Sequence, residues 1–140
     1  MLKKIYKILI GPYVIMLLYF MFFGFGRTQF DGNIVRIVPL VSTIKFGESS
    51  LVWSQWPMFL VNVFGNILMF LPFGFLGWVF PKFRHFNPLL LTFLSFIIIV
   101  EALQYFTRMG VFDVDDILFN TFGVWLGFKI FSKLKTIYHP

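Results

Sequence analysis

Glu101, Gln104 and Arg108 are spaced by three and then four residues, so on a helix they share one face. Asp113, Asp116, Asn120, Gly123 and Gly127 follow the same rhythm, with spacings of 3, 4, 3 and 4. The acid and amide half of that second stripe offers hydrogen-bond acceptors, and its glycine half lets another helix approach closely. Asn62 and Asn66 add an i, i+4 amide pair. Carboxylates of this kind accept protons or hold a hard cation, and a guanidinium pairs bidentately with carboxylate or phosphate. If the three stripes face one another they enclose a polar cavity. Its expected lining is Asn62, Asn66, Glu101, Gln104, Arg108, Asp113, Asp116 and Asn120, with Arg108 as its cation.

The elements that position these residues follow from composition. Of 140 residues, 59% are apolar, 22% aromatic and only 13% charged. A chain this short is mostly surface and could not hide that much apolar area from water. Ile8–Gly26, Ser49–Pro81 and Phe86–Val100 are charge-free runs of 19, 33 and 15 residues. Crossing a hydrocarbon core of about 30 Å takes roughly 20 helical residues. Four transmembrane helices are therefore expected near residues 7–26, 57–79, 88–106 and 113–132. The fold class is an all-α integral membrane bundle, one domain over residues 1–140, with an outer loop between the first two helices. Most of the 22 Phe residues are expected to face lipid. Pro72 should kink the second helix, and Trp56 and Trp78 should anchor its ends.

The net charge of +6 sorts by position. Lys3, Lys4, Lys7, Lys82, Arg84, Lys129, Lys133 and Lys135 all fall on one side of a four-span chain. The positive-inside rule puts that side, with both termini, in the cytoplasm. The charge concerns topology, and no basic face for nucleic acid exists. The first helix reads as an uncleaved span, because its apolar run is long and no small-x-small site follows it. Within the outer loop, the stretch IVRIVPLVSTI suits either a buried loop helix or an amphipathic surface segment. The chain has no Cys, which excludes disulfides and thiolate chemistry.

Polar residues inside a span cost a few kcal/mol each, about 2.5–3.5 for a central acid, so each needs a reason. The plain reasons are real alternatives. Asp113 and Asp116 suit a helix N-terminus, with Asp115 adding dipole-favourable charge; Glu101 suits a structural ion pair with Arg108; Asn62 and Asn66 suit helix–helix glue. The conjunction of three stripes favours a functional intramembrane site.

The segments NILMFLPFGF, EALQYFTR and FDVDDILFNTFGVWLG resemble the VanZ-like family, small bacterial membrane proteins named for a teicoplanin-resistance protein. The shared pattern falls on Asn66, Phe70, Pro72, Gly74, Glu101, Gln104, Arg108, Asp113, Asp116, Asn120, Gly123 and Gly127. Upstream, RIVPL resembles an outer-loop Asn-Leu-Ile-Pro-Phe run, with Arg36 in place of the Asn and Leu40 in place of the Phe. The resemblance implies a multi-pass cell-envelope protein linked to glycopeptide (teicoplanin) resistance. Binding or modifying a lipid-linked envelope component is the expected role, through Asn66, Glu101, Gln104, Arg108, Asp113, Asp116 and Asn120.

Expected partners are membrane lipids or a lipid-linked cell-wall precursor, with a homo-oligomer left open. No cofactor, metal ligand or catalytic residue is assigned. Two other classes compete. A metal-dependent lipid-phosphate enzyme would use the three aspartates for Mg²⁺ and Arg108 for phosphate. His85 and His139 fall on the cytoplasmic side, and no hydrolase elbow or Gly-rich phosphate loop is present, so the residues lean away from an enzyme. A small proton-coupled transporter would use Glu101. An assembly factor within a larger membrane complex is the plainest alternative.

Overall fold

A computed structural model describes residues 2–24, 29, 31–41, 43–45, 47–48 and 56–138. Its elements in order are α1 (Leu2–Phe23), β1 (Val35–Arg36), α2 (Trp56–Phe70), a 3₁₀ segment (Leu71–Trp78), a 3₁₀ turn (Pro81–Arg84), α3 (Phe86–Thr107), β2 (Phe112–Asp113) and α4 (Val114–Tyr138).

Among the described residues, three helical stretches are long and apolar enough to cross a membrane: Leu2–Phe23, Phe59–Trp78 and Phe86–Thr107. The fourth expected span is present as α4, a helix of 25 residues, but it is not among them. Asp115 and Asp116 open it, and Lys129 and Lys133 interrupt its last turns. It joins the bundle through its packing on α2 and the 3₁₀ segment. Helix α1 starts five residues before its expected boundary at residue 7, because a helix accommodates Lys3, Lys4 and Lys7 with their heads in water.

Pro72 changes the winding of the second span. The α-helix ends at Phe70 and the chain continues as eight residues of 3₁₀ helix. Proline removes one backbone donor, so carbonyls before it lose partners. In 3₁₀ winding the Met69 carbonyl would look to residue 72 for its donor, and Pro72 has none. Tyr13 of α1 supplies it, its hydroxyl donating to the Met69 carbonyl at 2.6 Å. Tyr6, two turns earlier, donates to the Pro72 carbonyl at 2.8 Å.

These contacts also set direction. Tyr13 meets Met69 while Tyr6 meets Pro72, so α1 runs antiparallel to the second span. The α4 glycines meet that span in rising order, Gly123 against Ile67 and Gly127 against Leu71, so those two run parallel. Gln104 of α3 reaches the Met21 carbonyl near the end of α1, which makes α1 and α3 co-directional. The bundle alternates direction, and Tyr6, Trp78 and Phe131 share its basic end.

Close packing explains the glycines. A Cβ on Gly123 would collide with the Ile67 carbonyl, one on Gly127 with the Leu71 carbonyl, and one on Gly74 with the Gly127–Phe128 backbone. The expected close approach at Gly123 and Gly127 is therefore made, and it is made backbone to backbone. Leu17, Phe70, Phe73, Leu89, Phe93, Ile97 and Val124 form the core. Phe70, Phe73, Phe93 and Phe131 are buried and so do not face lipid, while the other described phenylalanines are half-buried or exposed. Phe70, Phe73 and Phe93 interlock at ring-centroid distances of 5.5–5.9 Å, a separation suited to tilted and edge-on ring pairs. Trp56 remains exposed as an anchor would, whereas Trp78 is half-buried against Tyr6 and Phe75.

Candidate functional site

The polar residues gather at the end of the bundle opposite the basic one, where α3 turns into α4. Helix α3 stops at Thr107 because Arg108 adopts left-handed geometry, φ 58°. Its amide closes onto the Tyr105 carbonyl at 3.2 Å, and the Met109 amide onto the Gln104 carbonyl at 3.0 Å. Gly110 then packs against Gln104, where a Cβ would come within 3.1–3.2 Å of that side chain. The chain leaves this turn as β2, which pairs in parallel with β1 of the outer loop, Val35 opposite Phe112 and Arg36 opposite Asp113.

Asp113 caps α4. Its Oδ1 accepts the Asp115 amide at 2.9 Å, the geometry of a helix N-cap, and its Oδ2 lies 3.4 Å from Arg36 Nη1. Its own amide donates to Glu101 Oε2 at 3.3 Å. Glu101, 1% exposed, is thereby held at the α3–α4 junction. Gln104 is also buried, and its Nε2 donates to the Met21 carbonyl at 2.8 Å.

Asp115 clips the outer loop. It accepts the Leu40 amide, the Thr43 amide at 3.2 Å and the Thr43 hydroxyl at 2.6 Å. Leu40, like Arg108, has positive φ (64°), so this backbone strain sits directly at the clip. Asp116 turns the other way, into the bundle, and its Oδ1 accepts Asn66 Nδ2 at 2.7 Å. One turn deeper lies Asn120, 1% exposed, whose Oδ1 has no hydrogen-bond partner among the described residues. Below it the stripe becomes glycine.

The structure thus brings together Asn66 with Asp116 and Glu101 with Asp113, with Gln104 and Asn120 buried beside them. It separates two others. Arg108 does not share the Glu101 face as expected, because the helix has ended; its exposed side chain donates from Nε to Asn33 Oδ1 at 3.2 Å. Asn62 points outward and is exposed, while Asn66 points in. The cation seen at Asp113 is Arg36, one of the two residues in which the loop departs from the resembled pattern. The plain reading of the aspartates as a helix N-terminus holds in part, since Asp113 does cap α4. Asp113, Asp115 and Asp116 engage three different partners, an arginine, a loop and an amide.

Sequence reasoning missed the clip at Asp115 and the two tyrosines. No local signal marks them, because their partners lie 56–75 residues away in sequence.

Chemically the site is a column of acceptors, Asp113, Asp116 and Asn120, running from the mouth of α4 inward. A buried carbonyl oxygen without a donor costs about 1–3 kcal/mol. A water or ligand that donates a hydrogen bond to Asn120 would recover part of that.

The VanZ/LLP1 family profile matches residues 11–136. A curated relative, Protein VanZ of Enterococcus faecium, is 33% identical over 75 residues, covering 48% of this chain. The chain spans 42% of that relative's length. No solved structure matches. The profile takes in Asn66, Glu101, Gln104, Arg108, Asp113, Asp115, Asp116 and Asn120, and the chain belongs to the VanZ/LLP1 family.

Proposed function

We propose that this protein binds a lipid-linked component of the bacterial cell envelope through the acceptor column, and that this underlies a contribution to teicoplanin resistance. The buried Asn120 Oδ1 at the foot of Asp113 and Asp116, without a partner among the described residues, carries the reading. It is a polar group kept in a membrane bundle at a cost, with room in its chemistry for one more donor. Similarity to Protein VanZ supports the envelope role. A lipid anchor would lie between helices while its polar head donated to the column. Arg108, exposed at the rim beside Asn33, would meet an anionic head from above.

The protein is read as multi-pass with both termini cytoplasmic. The alternating helices put Lys3, Lys4, Lys7, Lys82, Arg84, Lys129 and Lys133 at one end, which the positive-inside rule assigns to the cytoplasm. The column then faces outward, where a glycopeptide acts.

The test is susceptibility. Glu101→Gln, Arg108→Ala, Asp116→Asn and Asn120→Ala should each lose most of any wild-type protection against teicoplanin at equal membrane levels. Equally inserted variants that all protect like wild type would overturn the reading.

A further inference from the structure

We propose that the outer-loop segment Ile34–Ile44 is a membrane-interface flap, lying on the outer leaflet with its aliphatic side chains among the upper acyl chains. Ile34, Val35, Ile37, Val38, Leu40, Val41 and Ile44 are all exposed, with Ile37, Val38 and Ile44 at 67%, 60% and 55%. The segment is therefore not a buried loop helix. Seven exposed aliphatic residues within eleven form an apolar patch that water would not tolerate.

Its depth is fixed by what holds it. Asp115, in the first turn of α4, clips Leu40 and Thr43, and β1 pairs with β2 just ahead of that turn. Val114 and Lys133 are 19 residues apart on α4, about 28 Å along the axis, close to the thickness of a hydrocarbon core. If Lys133 sits at one boundary, the clip sits at the other. The loop is also continuous with the lipid-facing surface of the second span. A Cβ on Gly47 would lie 3.3 Å from the Phe59 ring, at the first residue of that span. Exposed Lys45 beside the patch suits anionic headgroups.

This inference rests on the membrane reading of the helices and is independent of the envelope ligand. Because the chain has no Cys, single-cysteine variants need no background removal. Ile37→Cys, Val38→Cys and Ile44→Cys are labelled with an environment-sensitive nitrobenzoxadiazole dye. The proteins are reconstituted in vesicles of phosphatidylethanolamine and phosphatidylglycerol. Asp31→Cys serves as the aqueous reference and Ile98→Cys, on the exposed face of α3, as the lipid reference.

At the three loop sites we expect blue-shifted emission, quenching by nitroxide-labelled acyl chains, and iodide quenching several-fold below that at Asp31→Cys. Iodide quenching equal to Asp31→Cys would overturn the proposal. So would protection from both quenchers, or protection lost on dilution in lipid, which would mean that protein or a second copy covers the patch. The three side chains are exposed, so the substitutions remove little packing, and any one that misfolds leaves two to decide.

Discussion

Asn66 and Asp116 meet across the bundle at 2.7 Å, joining the second span to α4 two turns of α4 above the glycine crossing. Both residues lie in the mouth of the acceptor column, so the pair closes one wall of the site and ties two helices. A charge-assisted hydrogen bond of this kind contributes about 1.5–3 kcal/mol. Asn66→Ala should lower thermal stability in detergent by roughly that amount, because it removes a donor from a half-buried carboxylate. Asp116→Asn should cost less, since the amide can still accept from Asn66. A thermal melt of both variants checks the order, and equal losses would show that the pair is not what matters.

Gly123 and Gly127 make the sharpest structural prediction. Added methyls would strike the Ile67 and Leu71 carbonyls, which belong to backbone and cannot step aside. Gly127→Ala and Gly123→Ala should each destabilise by about 1–3 kcal/mol as overpacking does, or prevent assembly of the helices. Gly65→Ala is the control, because the nearest atom there is Val61 Cγ1 at 4.0 Å, an ordinary contact. Thermal unfolding should separate the first two from the third.

The glycine crossing was legible in sequence because its cause is local: a spacing of four on a helix states where a neighbour comes close. The same holds for the membrane helices, read from charge-free runs, and for Pro72, whose missing donor acts within one turn. The buried positions of Glu101, Gln104 and Asn120 followed from the cost of polar groups in hydrocarbon. What could not be read was partner choice. Arg108 leaves the Glu101 face because one residue turns left-handed, and nothing in EALQYFTR announces that. Arg36 and Asp115 find partners 72–77 residues away, a separation set only by how four helices pack.

Arg108 can be separated into its two roles. Left-handed geometry costs a side-chain-bearing residue roughly 1–2 kcal/mol that glycine does not incur. Arg108→Gly should therefore keep or slightly raise stability while removing the guanidinium at the rim. Arg108→Ala retains the backbone strain and loses the contact to Asn33, so it should melt below Arg108→Gly. If teicoplanin protection falls equally in both while stability differs, the charge and not the turn is what the ligand meets.

The Asp115 clip should govern the outer loop alone. Asp115→Ala strands the Leu40 and Thr43 amides and the Thr43 hydroxyl, three donors that share one carboxylate. Thr43→Val removes only the hydroxyl and leaves both amides satisfied. Amide hydrogen exchange at Leu40 and Thr43 should accelerate strongly in Asp115→Ala and modestly in Thr43→Val. Exchange in the middle of α3, around Phe93 and Ile97, should be unchanged in both, since that core packs without the loop. Equal acceleration at Ile97 would mean that the carboxylate supports the whole bundle, and the loop would then be a structural member of it.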